Sequence, residues 1–294
     1  MSAVIIDGKA IAKKIREEVK QGATLLREKG IAPCLAVILA GDDPASLSYV
    51  TAKEKALAEA GMESQDFRLP ADVTEPELLA LIDRLNQDKN VHGILVQLPL
   101  PRHIDEDRII TAIDPAKDVD GFHPVSVGNM VLGRHGFLPC TPHGVLVLLR
   151  ELAIPLSGSH TVVVGRSNIV GKPMANLLLR REANATVTIC HTGTKDLARH
   201  TLQADILIAA AGKAGLIGAE MIKPGAVVID VGVNRVQDST KAKGYRLCGD
   251  VDFAGAESRA GYITPVPGGV GPMTIAMLLK NVLQATITKG DFIK

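Results

Sequence analysis

The sequence predicts an α/β protein built from two domains with parallel sheets. Short apolar runs typical of strands alternate with helix-like segments almost from one end of the chain to the other. A tract rich in Gly and Pro, residues 113–144, interrupts the alternation, after which the pattern restarts. Because this tract is too long for a simple connector in a compact domain, we expect it to be functional or to mark a boundary. The 294 residues suffice for two domains that each bury a core.

In the first part of the chain, strands and helices are expected to alternate. The strand candidates are residues 34–41, 66–70 and 93–101. One helix is expected from Pro44 to Ala60, where Gly61 stops it. A second is expected from Glu75 to Gln87, with Thr74 as its N-cap.

After Pro142 the succession of elements is typical of a doubly wound, Rossmann-type nucleotide-binding unit. Strands are expected at 161–164, 185–190, 205–212 and 226–232, and helices at 143–153, 171–182 and 194–202. The strands are short and rich in Val, Ile and Ala, as in parallel sheets that are covered on both faces. A final amphipathic helix is expected from about Thr274 to Ala285.

Composition and charge argue against several classes of partner. Hydrophobic residues make up 46% and charged residues 22% of the chain, which is ordinary for a soluble globular protein. The formal net charge is +1, so no strong field recruits nucleic acid or an anionic membrane. Trp is absent, and 3 Tyr and 5 Phe leave little for base stacking. We therefore expect neither a nucleic-acid nor a membrane partner.

The spacing of cysteines and histidines argues against disulfides and metal sites. The cysteines lie far apart and form no C-x-x-C pair; they are Cys34, Cys140, Cys190 and Cys248. Such spacing in an enzyme-sized chain indicates free thiols in a reducing compartment. The 8 histidines lack metal-ligand spacing, so no metal is expected. Asp7 and Lys9 interrupt the N-terminal apolar stretch, and no apolar run approaches the ~18–20 residues of a membrane span, so the cytoplasm is the expected location.

The loop after the strand at 161–164 combines features of a phosphate site with an unusual composition. It reads GRSNIVG, residues 165–171, rather than the G-x-G-x-x-G of a common dinucleotide site. Gly165 permits a tight turn after the strand, and Gly171 lets the following helix start close to the sheet. The N–H groups and dipole of that helix favour a phosphate. An ordinary strand–helix turn is the alternative, because a lone glycine loop is a weak signal.

The end of the next strand favours NADP over NAD. An NAD site commonly ends its second strand with Asp or Glu, which binds the ribose 2′-hydroxyl. Here the strand ends in Cys190, His191 and Thr192, without a carboxylate. Arg166 and Ser167 lie at the other side of the expected site. This set suits a 2′-phosphate, because arginine supplies a permanent charge and the hydroxyls supply neutral donors.

Tyr49 and Lys53 lie four residues apart on a predicted helix and therefore share a face. Both residues have an ordinary explanation, the tyrosine as an amphipathic anchor and the lysine as a solvated surface charge. Against it, Lys53 lies with Tyr49 beside the apolar Val50 and Leu57. A partly desolvated lysine can serve as a proton-transfer group.

Two polar features accompany the strand that begins at Gly93. Gln97 falls at its carboxyl end, where ligands bind in open α/β sheets, and Lys53 or a ligand could satisfy the amide. The alternative is that Gln97 only caps backbone groups of the loop. The segment KDVDGFHP, residues 117–124, fails the pattern of a calcium loop. A carboxylate there could bind an amino-pyrimidine edge, although a simple turn carboxylate is the alternative.

A rigid loop precedes the final helix. Residues 264–274 read TPVPGGVGPMT, in which prolines and glycines impose unusual backbone angles. Such a segment can lie flat against a ring while offering backbone hydrogen bonds. A plain turn would not need so many of these residues.

Together these stretches resemble the methylenetetrahydrofolate dehydrogenase/methenyltetrahydrofolate cyclohydrolase family. The resemblance covers nearly the whole chain and rests on YVTAKEKA, GILVQLPLP, KDVDGFHP, PCTPHG, VVVGRSNIVGKPMA, GDV and TPVPGGVGPMT, in that order. It implies two α/β domains flanking a cleft, NADP as the oxidant and a homodimer formed through the cofactor domains. We expect a folate-binding catalytic domain at 1–142, with a C-terminal helix at 275–294 packing back on it, and an NADP-binding Rossmann domain at 143–274.

The resemblance also implies roles for individual residues. Lys53 resembles the catalytic lysine, Gln97 the glutamine that orients and tunes it, and Tyr49 the neighbour that stacks on or positions the folate. Asp120 matches the aspartate that binds the pterin ring. The implied contacts in the loop that closes over pterin and nicotinamide are Pro265, Gly268, Gly269 and Pro272. The implied cofactor contacts are Gly165, Arg166, Ser167, Val170, Gly171, His191, Thr192 and Val233.

Two positions depart from the family's pattern. Members often have His-Ser-basic-Thr after the second Rossmann strand, where this chain has residues 191–194, His-Thr-Gly-Thr. Thr192 keeps a hydroxyl, but Gly193 removes a possible charge near the 2′-phosphate. Ser126 stands where many members have Asn.

The resemblance implies two consecutive reactions. The first oxidises 5,10-methylenetetrahydrofolate to the methenyl form with NADP, and the second hydrolyses that product to 10-formyltetrahydrofolate. Because Lys53 and Gln97 are both present, we expect both activities. One alternative is a monofunctional NAD(P)-dependent dehydrogenase. Another is a catalytically silent folate- or nucleotide-binding module, against which Lys53, Gln97 and Asp120 argue.

Overall fold

The computed structural model describes residues 2–241 and 244–291, and the chain divides into two compact units. One, called here the six-stranded unit, extends from the N-terminus to Ala12 and resumes at residues 139–274. The other, the three-stranded unit, comprises residues 13–138 and the chain from Ile275 onward.

The described residues form short strands and helices in alternation. The strands are β1 Val4–Ile5, β2 Cys34–Ala40, β3 Glu63–Leu69, β4 Gly93–Val96, β5 His160–Val164, β6 Thr186–Cys190, β7 Ile206–Ala209, β8 Val227–Asp230, β9 Asn234–Gln237, β10 Tyr245–Cys248 and β11 Tyr262–Ile263. The α-helices are α1 Gly8–Glu28, α2 Pro44–Glu59, α3 Glu75–Gln87, α4 Glu106–Ala112, α5 Pro124–Val131, α6 Cys140–Glu151, α7 Gly171–Leu179, α8 Leu197–Thr201, α9 Phe253–Ala256 and α10 Val270–Asp291.

The three-stranded unit is built on a parallel sheet with strand order β3-β2-β4. Every residue of the central strand β2 is buried, as is every residue of β4. Ile38 and Ile94 pack with Ile82 and Leu85 of α3 in one apolar core. These unbroken apolar runs reflect a parallel strand that is covered on both faces.

Helix α3 has the bounds expected from the sequence, because strong signals stop it at both ends. Thr74 accepts from the N–H of Glu77, whose carboxylate accepts from the N–H of Thr74, so the two form a capping box. At the other end the buried ammonium of Lys117 donates to the carbonyl oxygens of Leu85, Asn86 and Asp88, at 2.6, 2.7 and 2.8 Å. A cation is favoured there by the helix dipole.

The strand expected at 93–101 ends at Val96. Pro99 and Pro101 follow, and a proline has no N–H to donate to a sheet. The strand expected at 66–70 begins three residues earlier, at Glu63, which pairs in register with Cys34. Pairing with β2 therefore sets the start of β3, and the prolines limit the end of β4.

The six-stranded unit has a wholly parallel sheet with strand order β1-β11-β8-β7-β5-β6. Its core joins Val162, Leu207 and Val228 from neighbouring strands. A separate antiparallel hairpin is formed by β9 and β10. The expected strands in this part of the chain are present, each with bounds shifted by a few residues.

The N-terminal strand does not belong to the unit expected at 1–142. Val4 and Ile5 pair in parallel with Tyr262 and Ile263, so β1 is an edge strand of the six-stranded sheet. A two-residue strand has no periodicity of its own, and only its partner defines it. Part of the C-terminal range 275–294, residues 292–294, lies outside the described residues.

Helix α1 has no counterpart among the expected elements, although the signal is present in the sequence. Its buried residues Ala12, Ile15, Val19 and Ala23 recur at intervals of three or four, which is the helical period. The tract at 113–144 contains the short helix α5 and the start of α6, and a unit boundary follows Leu138.

Helix α10 contains a segment with the length of a membrane span. Within the described residues, Val270–Thr288 has a mean hydropathy of 1.2, and 56% of that stretch is buried inside the protein. The core helix of a soluble protein has the same length and composition, so this segment does not indicate a membrane protein.

Candidate active site

Lys53 and Gln97 meet in the three-stranded unit. The ammonium of Lys53 donates a hydrogen bond to Oε1 of Gln97 at 3.0 Å, and only 8% of Lys53 is exposed. Nε2 of Gln97 donates to the carbonyl oxygen of Leu98 at 2.7 Å, which leaves Oε1 directed at the lysine. The two residues are 44 positions apart, so only the fold brings them together.

Two regular elements hold this pair. Lys53 lies in the middle of α2, whose N-cap Asp43 accepts from the N–H of Ser46 at 2.8 Å. Gln97 directly follows β4, and its N–H donates to the carbonyl oxygen of Ile38 in β2 at 2.8 Å. The amide is thus fixed at the carboxyl end of the parallel sheet, where ligands of α/β proteins bind.

Tyr49 lies one turn before Lys53 on α2 and is 41% exposed. An exposed aromatic ring offers a surface on which a planar ligand can stack. The arrangement agrees with the shared helix face expected from the four-residue spacing.

The segment at 117–124 is organised around Asp118. Asp118 pairs with Ile94 as a parallel bridge, which attaches the segment to the edge of β4. Its carboxylate accepts from the backbone N–H groups of Phe122 at 3.2 Å and His123 at 2.9 Å. The hydroxyl of Ser126 also bonds this carboxylate. Ser126 therefore helps to shape the segment that carries Asp120.

Burial raises the pKa of Asp118 from 3.8 to about 6, against the opposing effect of the hydrogen bonds from Ser126, His123 and Phe122. A carboxylate that is almost fully buried loses its hydration, which disfavours the charged form. The role of the buried Asp118 carboxylate is thus to stabilise the conformation of the loop.

Asp120 is less buried than Asp118 and lines a small cavity together with Leu98 and Phe122. Leu98 follows Gln97 in the chain, so Asp120 and the glutamine belong to the same end of the sheet. Gly121, with φ at 74°, makes the turn directly after Asp120, a conformation that favours glycine.

The glycine loop at 165–171 is built for a close backbone approach. Gly165 has φ at 137°, and a Cβ there would overlap the carbonyl oxygen of Ala210. A Cβ at Gly171 would overlap the carbonyl oxygen of Gly165. Helix α7 therefore begins against the turn itself, with its first N–H groups near the carboxyl end of β5.

Ser167 caps this helix from inside the loop. Its Oγ accepts from the N–H of Val170 at 3.1 Å and from that of Gly171 at 3.4 Å. The hydroxyl proton is not used in either bond and can be donated to a ligand oxygen.

A cavity of about 470 Å³ lies at the carboxyl ends of β5, β6 and β7. It is lined by Val164, Gly165, Arg166, Ser167, His191, Thr192, Thr194, Leu197, Ala210, Ala211, Lys213 and Leu216. Arginine, lysine, histidine and hydroxyl groups are represented in this lining, and carboxylates are not. The donor set fits an anionic, phosphorylated ligand with an apolar part.

The loop that follows β6 is held by two internal hydrogen bonds around His191. The N–H of His191 donates to Oγ1 of Thr194 at 2.9 Å, and the N–H of Gly193 donates to Nδ1 of His191 at 3.0 Å. The loop thereby presents Thr192 and Thr194 to the cavity. Val170 and Gly171 instead form the start of α7, and Val233 is an exposed side chain between β8 and β9.

The loop at 264–274 is held tightly in the six-stranded unit. The N–H of Gly269 donates to the carbonyl oxygen of Pro265 at 2.9 Å, and a Cβ at Gly269 would lie 2.6 Å from that of Thr264. Gly268 has φ at 114°. Pro265 and Val266 also line a second cavity of about 780 Å³ near α9 and β10.

Among the described residues, no group of three or more His, Cys, Asp and Glu side chains could hold a metal ion. The four cysteines are free thiols.

Family models match both parts of the chain. Residues 6–120 match the catalytic domain of tetrahydrofolate dehydrogenase/cyclohydrolase, and residues 139–289 match its NAD(P)-binding domain. A curated relative named Bifunctional protein FolD, from Geobacillus thermodenitrificans (strain NG80-2), is 59% identical over 285 residues, which cover 97% of this chain and 98% of the relative.

The chain belongs to the tetrahydrofolate dehydrogenase/cyclohydrolase family.

Solved structures agree with this assignment. The bifunctional FolD methylenetetrahydrofolate dehydrogenase/cyclohydrolase from Campylobacter jejuni is 52% identical with a TM-score of 0.92, over 98% of this chain and 99% of that one. The Trypanosoma brucei methylenetetrahydrofolate dehydrogenase-cyclohydrolase, solved with NADP and an inhibitor, is 45% identical with a TM-score of 0.94, over 98% of both chains. The expected family, the α/β fold and the NAD(P)-binding domain are confirmed. The roles of individual site residues stay predictions.

Several residues that line this cavity were not predicted as cofactor contacts, and Lys213 is the charged one among them. Lys213 lines the cavity at the end of β7, four residues beyond Ala209. The available signal was its position, since it follows the third Rossmann strand where ligands bind. A lone lysine in a Gly/Ala-rich loop carries no motif, so only the shape of the loop shows that it reaches the cavity.

Proposed function

We propose that this protein oxidises 5,10-methylenetetrahydrofolate with NADP and then hydrolyses the methenyl product to 10-formyltetrahydrofolate. Family membership supports the two reactions. The observation that carries the second one is the hydrogen bond between buried Lys53 and Gln97.

The oxidation requires alignment more than acid–base chemistry. Bound NADP would supply the acceptor for the hydride from the bridging carbon of the substrate. The chain's own contribution is to bind and orient both molecules, with Tyr49 and Asp120 proposed to hold the pterin. The loop containing Pro265, Gly268, Gly269 and Pro272 is proposed to pack against the rings.

The hydrolysis requires proton transfers, and we assign them to Lys53. Water adds to the methenyl carbon, one carbon–nitrogen bond breaks, and the product is a formyl group with release of one proton. Gln97 holds the ammonium of Lys53 at a fixed position, 3.0 Å from its Oε1. A positioned proton-transfer group of this kind contributes roughly 10²- to 10⁴-fold to a rate.

The cavity in the six-stranded unit is proposed as the NADP site. Gly165, Ser167 and the start of α7 suit the pyrophosphate, because backbone N–H groups converge there. Arg166 is proposed to contact the 2′-phosphate together with His191 and Thr192, which line the same cavity.

The first experiment is turnover of the purified protein with 5,10-methylenetetrahydrofolate and either NADP or NAD. Cofactor reduction and the methenyl chromophore are followed separately. We expect NADP to be reduced without methenyl accumulation beyond the spontaneous background. Accumulating methenyl product would favour the monofunctional dehydrogenase, and binding without turnover would favour the silent module.

A homodimer formed through the six-stranded unit is a further proposal. Strand β6 is the last in the strand order of that sheet, and its Ile189 is 41% exposed. Leu179 and Leu202 of the same unit are also exposed apolar side chains. A second copy of this chain is the occupant that the family resemblance implies for this surface.

The cytoplasm is proposed as the location, and the two units are proposed as the folate-binding and NADP-binding domains. Four free thiols suit a reducing compartment. Cell fractionation with an antibody to the protein tests the first proposal, and separate calorimetric titration of folate and NADP into site variants tests the second.

A further inference from the structure

The cavity in the six-stranded unit contains two side chains with an amine or guanidinium charge, Arg166 and Lys213. They come from different strand ends, Arg166 from the loop after β5 and Lys213 from the loop after β7. The loop after β6 lines the cavity with the hydroxyls of Thr192 and Thr194 and the imidazole of His191, whereas its lysine, Lys195, is not part of the lining. Lys213 is therefore the lysine of this lining that could meet a second phosphate together with Arg166.

The backbone of that loop is fixed by one buried carboxylate. Asp250 accepts from the N–H groups of Ala211 at 2.6 Å, Gly212 at 2.8 Å and Lys213 at 2.9 Å. Nδ2 of Asn234 donates to the same carboxylate at 2.9 Å. Because three successive backbone N–H groups donate to the same side chain, the loop has little freedom. The backbone position of Lys213 is therefore fixed before a ligand binds.

The backbone around Asp250 is held in turn by a second buried carboxylate, that of Asp230. The N–H of Asp250 donates to Oδ1 of Asp230 at 2.9 Å, and that of Val251 donates to Oδ2 at 2.9 Å. Asp230 ends β8 and donates its own N–H to Thr264 at 2.7 Å. The loop that carries Lys213 is thus tied through two side chains to the core sheet.

The ammonium of Lys213 remains available to a ligand. Within the part of the chain that the structure describes, Lys213 is exposed, and its hydrogen bond is made by the backbone N–H. Its side chain borders the same space as Arg166 and His191. Holding the loop rigid reduces the conformational entropy lost when the lysine binds an anion.

We propose that Lys213 is a specificity-determining residue that binds the 2′-phosphate of NADP together with Arg166. This inference rests on the cavity being the cofactor site. The lysine then discriminates between the phosphorylated and unphosphorylated cofactors, because an ammonium gains more from a phosphate than from a hydroxyl.

The test compares binding of adenosine 2′,5′-bisphosphate and adenosine 5′-monophosphate, which differ only in the 2′-phosphate. Isothermal titration calorimetry on the intact protein gives both Kd values without any turnover. For Lys213→Gln we expect the Kd of the bisphosphate to rise about tenfold, as for loss of one charge-assisted hydrogen bond, and that of the monophosphate to change less than about twofold.

Two matched variants complete the test. Lys195→Gln removes the same charge from an exposed lysine of the loop after β6 that does not line the cavity, and this variant should bind both ligands as the parent does. Lys213→Arg keeps the charge and should keep most of the preference for the bisphosphate.

Several results would overturn the proposal. They are unchanged binding in Lys213→Gln, an equal loss for both ligands, an equal effect of Lys195→Gln, or a loss in Lys213→Arg as large as in Lys213→Gln. An equal loss for both ligands would place the lysine on the 5′-phosphate. Because binding is read directly, absence of turnover with folate would count against the proposed reactions and not against this residue.

Discussion

The side chain of Lys53 is buried on a helix and bonded to an amide from a neighbouring strand end. A lysine is rarely buried unless it is paired or functional. Gln97 is neutral, so it holds the ammonium in place without forming an ion pair. At the scale of single residues, this contact is the feature of the three-stranded unit that is hardest to explain by stability alone.

We predict that Lys53→Met reduces methenyl hydrolysis by roughly 10²- to 10⁴-fold, because the proton-transfer group is lost. Dehydrogenase activity should fall far less, since hydride transfer needs alignment rather than a proton. Stopped-flow measurement of methenyl decay and of cofactor reduction checks both rates. Lys55→Met, at a lysine that is exposed on the same helix, is the control. Equal losses of the two activities in Lys53→Met would contradict this division of roles.

At the scale of elements, hydrogen bonds to short polar side chains determine where the helices of the candidate site begin. Ser167 supplies the cap of α7 from within the glycine loop, because Val170 at the N-cap position offers no side-chain acceptor. The same loop therefore contributes to folding and to ligand binding.

We predict that Ser167→Ala lowers the free energy of unfolding by about 1 kcal/mol, the usual effect of losing an N-terminal cap. Ser167→Thr keeps the hydroxyl and should lose less. Urea unfolding followed by circular dichroism compares the three proteins. A Ser167→Ala protein as stable as the parent would show that the two N–H groups of α7 find other acceptors.

The segment at 117–124 gives a pH-dependent contribution to stability. Burial raises the pKa of Asp118 to about 6, above its ordinary value of 3.8. The folded state therefore holds the proton more tightly than the unfolded state, and this stabilisation is fully present below about pH 4 and is lost as the pH rises through about 6.

We predict that Asp118→Asn removes this dependence. The free energy of unfolding of the parent, minus that of the variant, should fall by up to about 3 kcal/mol between pH 4 and pH 7. Asp230, whose pKa burial also raises to about 6, contributes equally to both proteins and cancels. Urea unfolding at several pH values measures the difference, and the exposed Asp72→Asn serves as the control. A difference that stays constant with pH would contradict the prediction.

At the scale of the whole molecule, the proposed dimer depends on an apolar sheet edge. An edge strand presents unpaired N–H and C=O groups, and proteins usually cover such an edge or place charges on it. Here β6 carries Thr, Val and Ile without a charged side chain. Ile189 and Leu179 add exposed apolar area to the same unit.

We predict that Ile189→Lys converts a dimer into a monomer at micromolar concentration, because a buried, unpaired ammonium at an interface is unfavourable. Sedimentation velocity on the parent and the variant measures the change. Val131→Lys, at a side chain 54% exposed on α5 of the other unit, should leave the dimer intact. A monomeric parent protein, or a dimer that survives in Ile189→Lys, would refute the proposed interface.

Local signals in the sequence determined much of this protein. Alternation of apolar runs and helical segments determined the α/β class. Helix α3 begins after the expected N-cap Thr74 and ends at Gln87 as expected. The motif order determined the family, because long motifs such as the glycine loop and the loop at 264–274 keep their residues together. These features depend on neighbours in the chain, which a sequence displays directly.

The tertiary structure alone decided what depends on distant partners. Strand β1 exists because it pairs with β11, more than 250 residues away in the chain. The placement of Lys213 by Asp250 joins residues 37 positions apart. The contact of Lys53 with Gln97 spans 44 positions; the sequence offered it as one of two options, and the structure decided between them. Such contacts arise when parallel strands bring their carboxyl ends to one edge of a sheet, and no periodicity of residues along the chain encodes which side chains meet there.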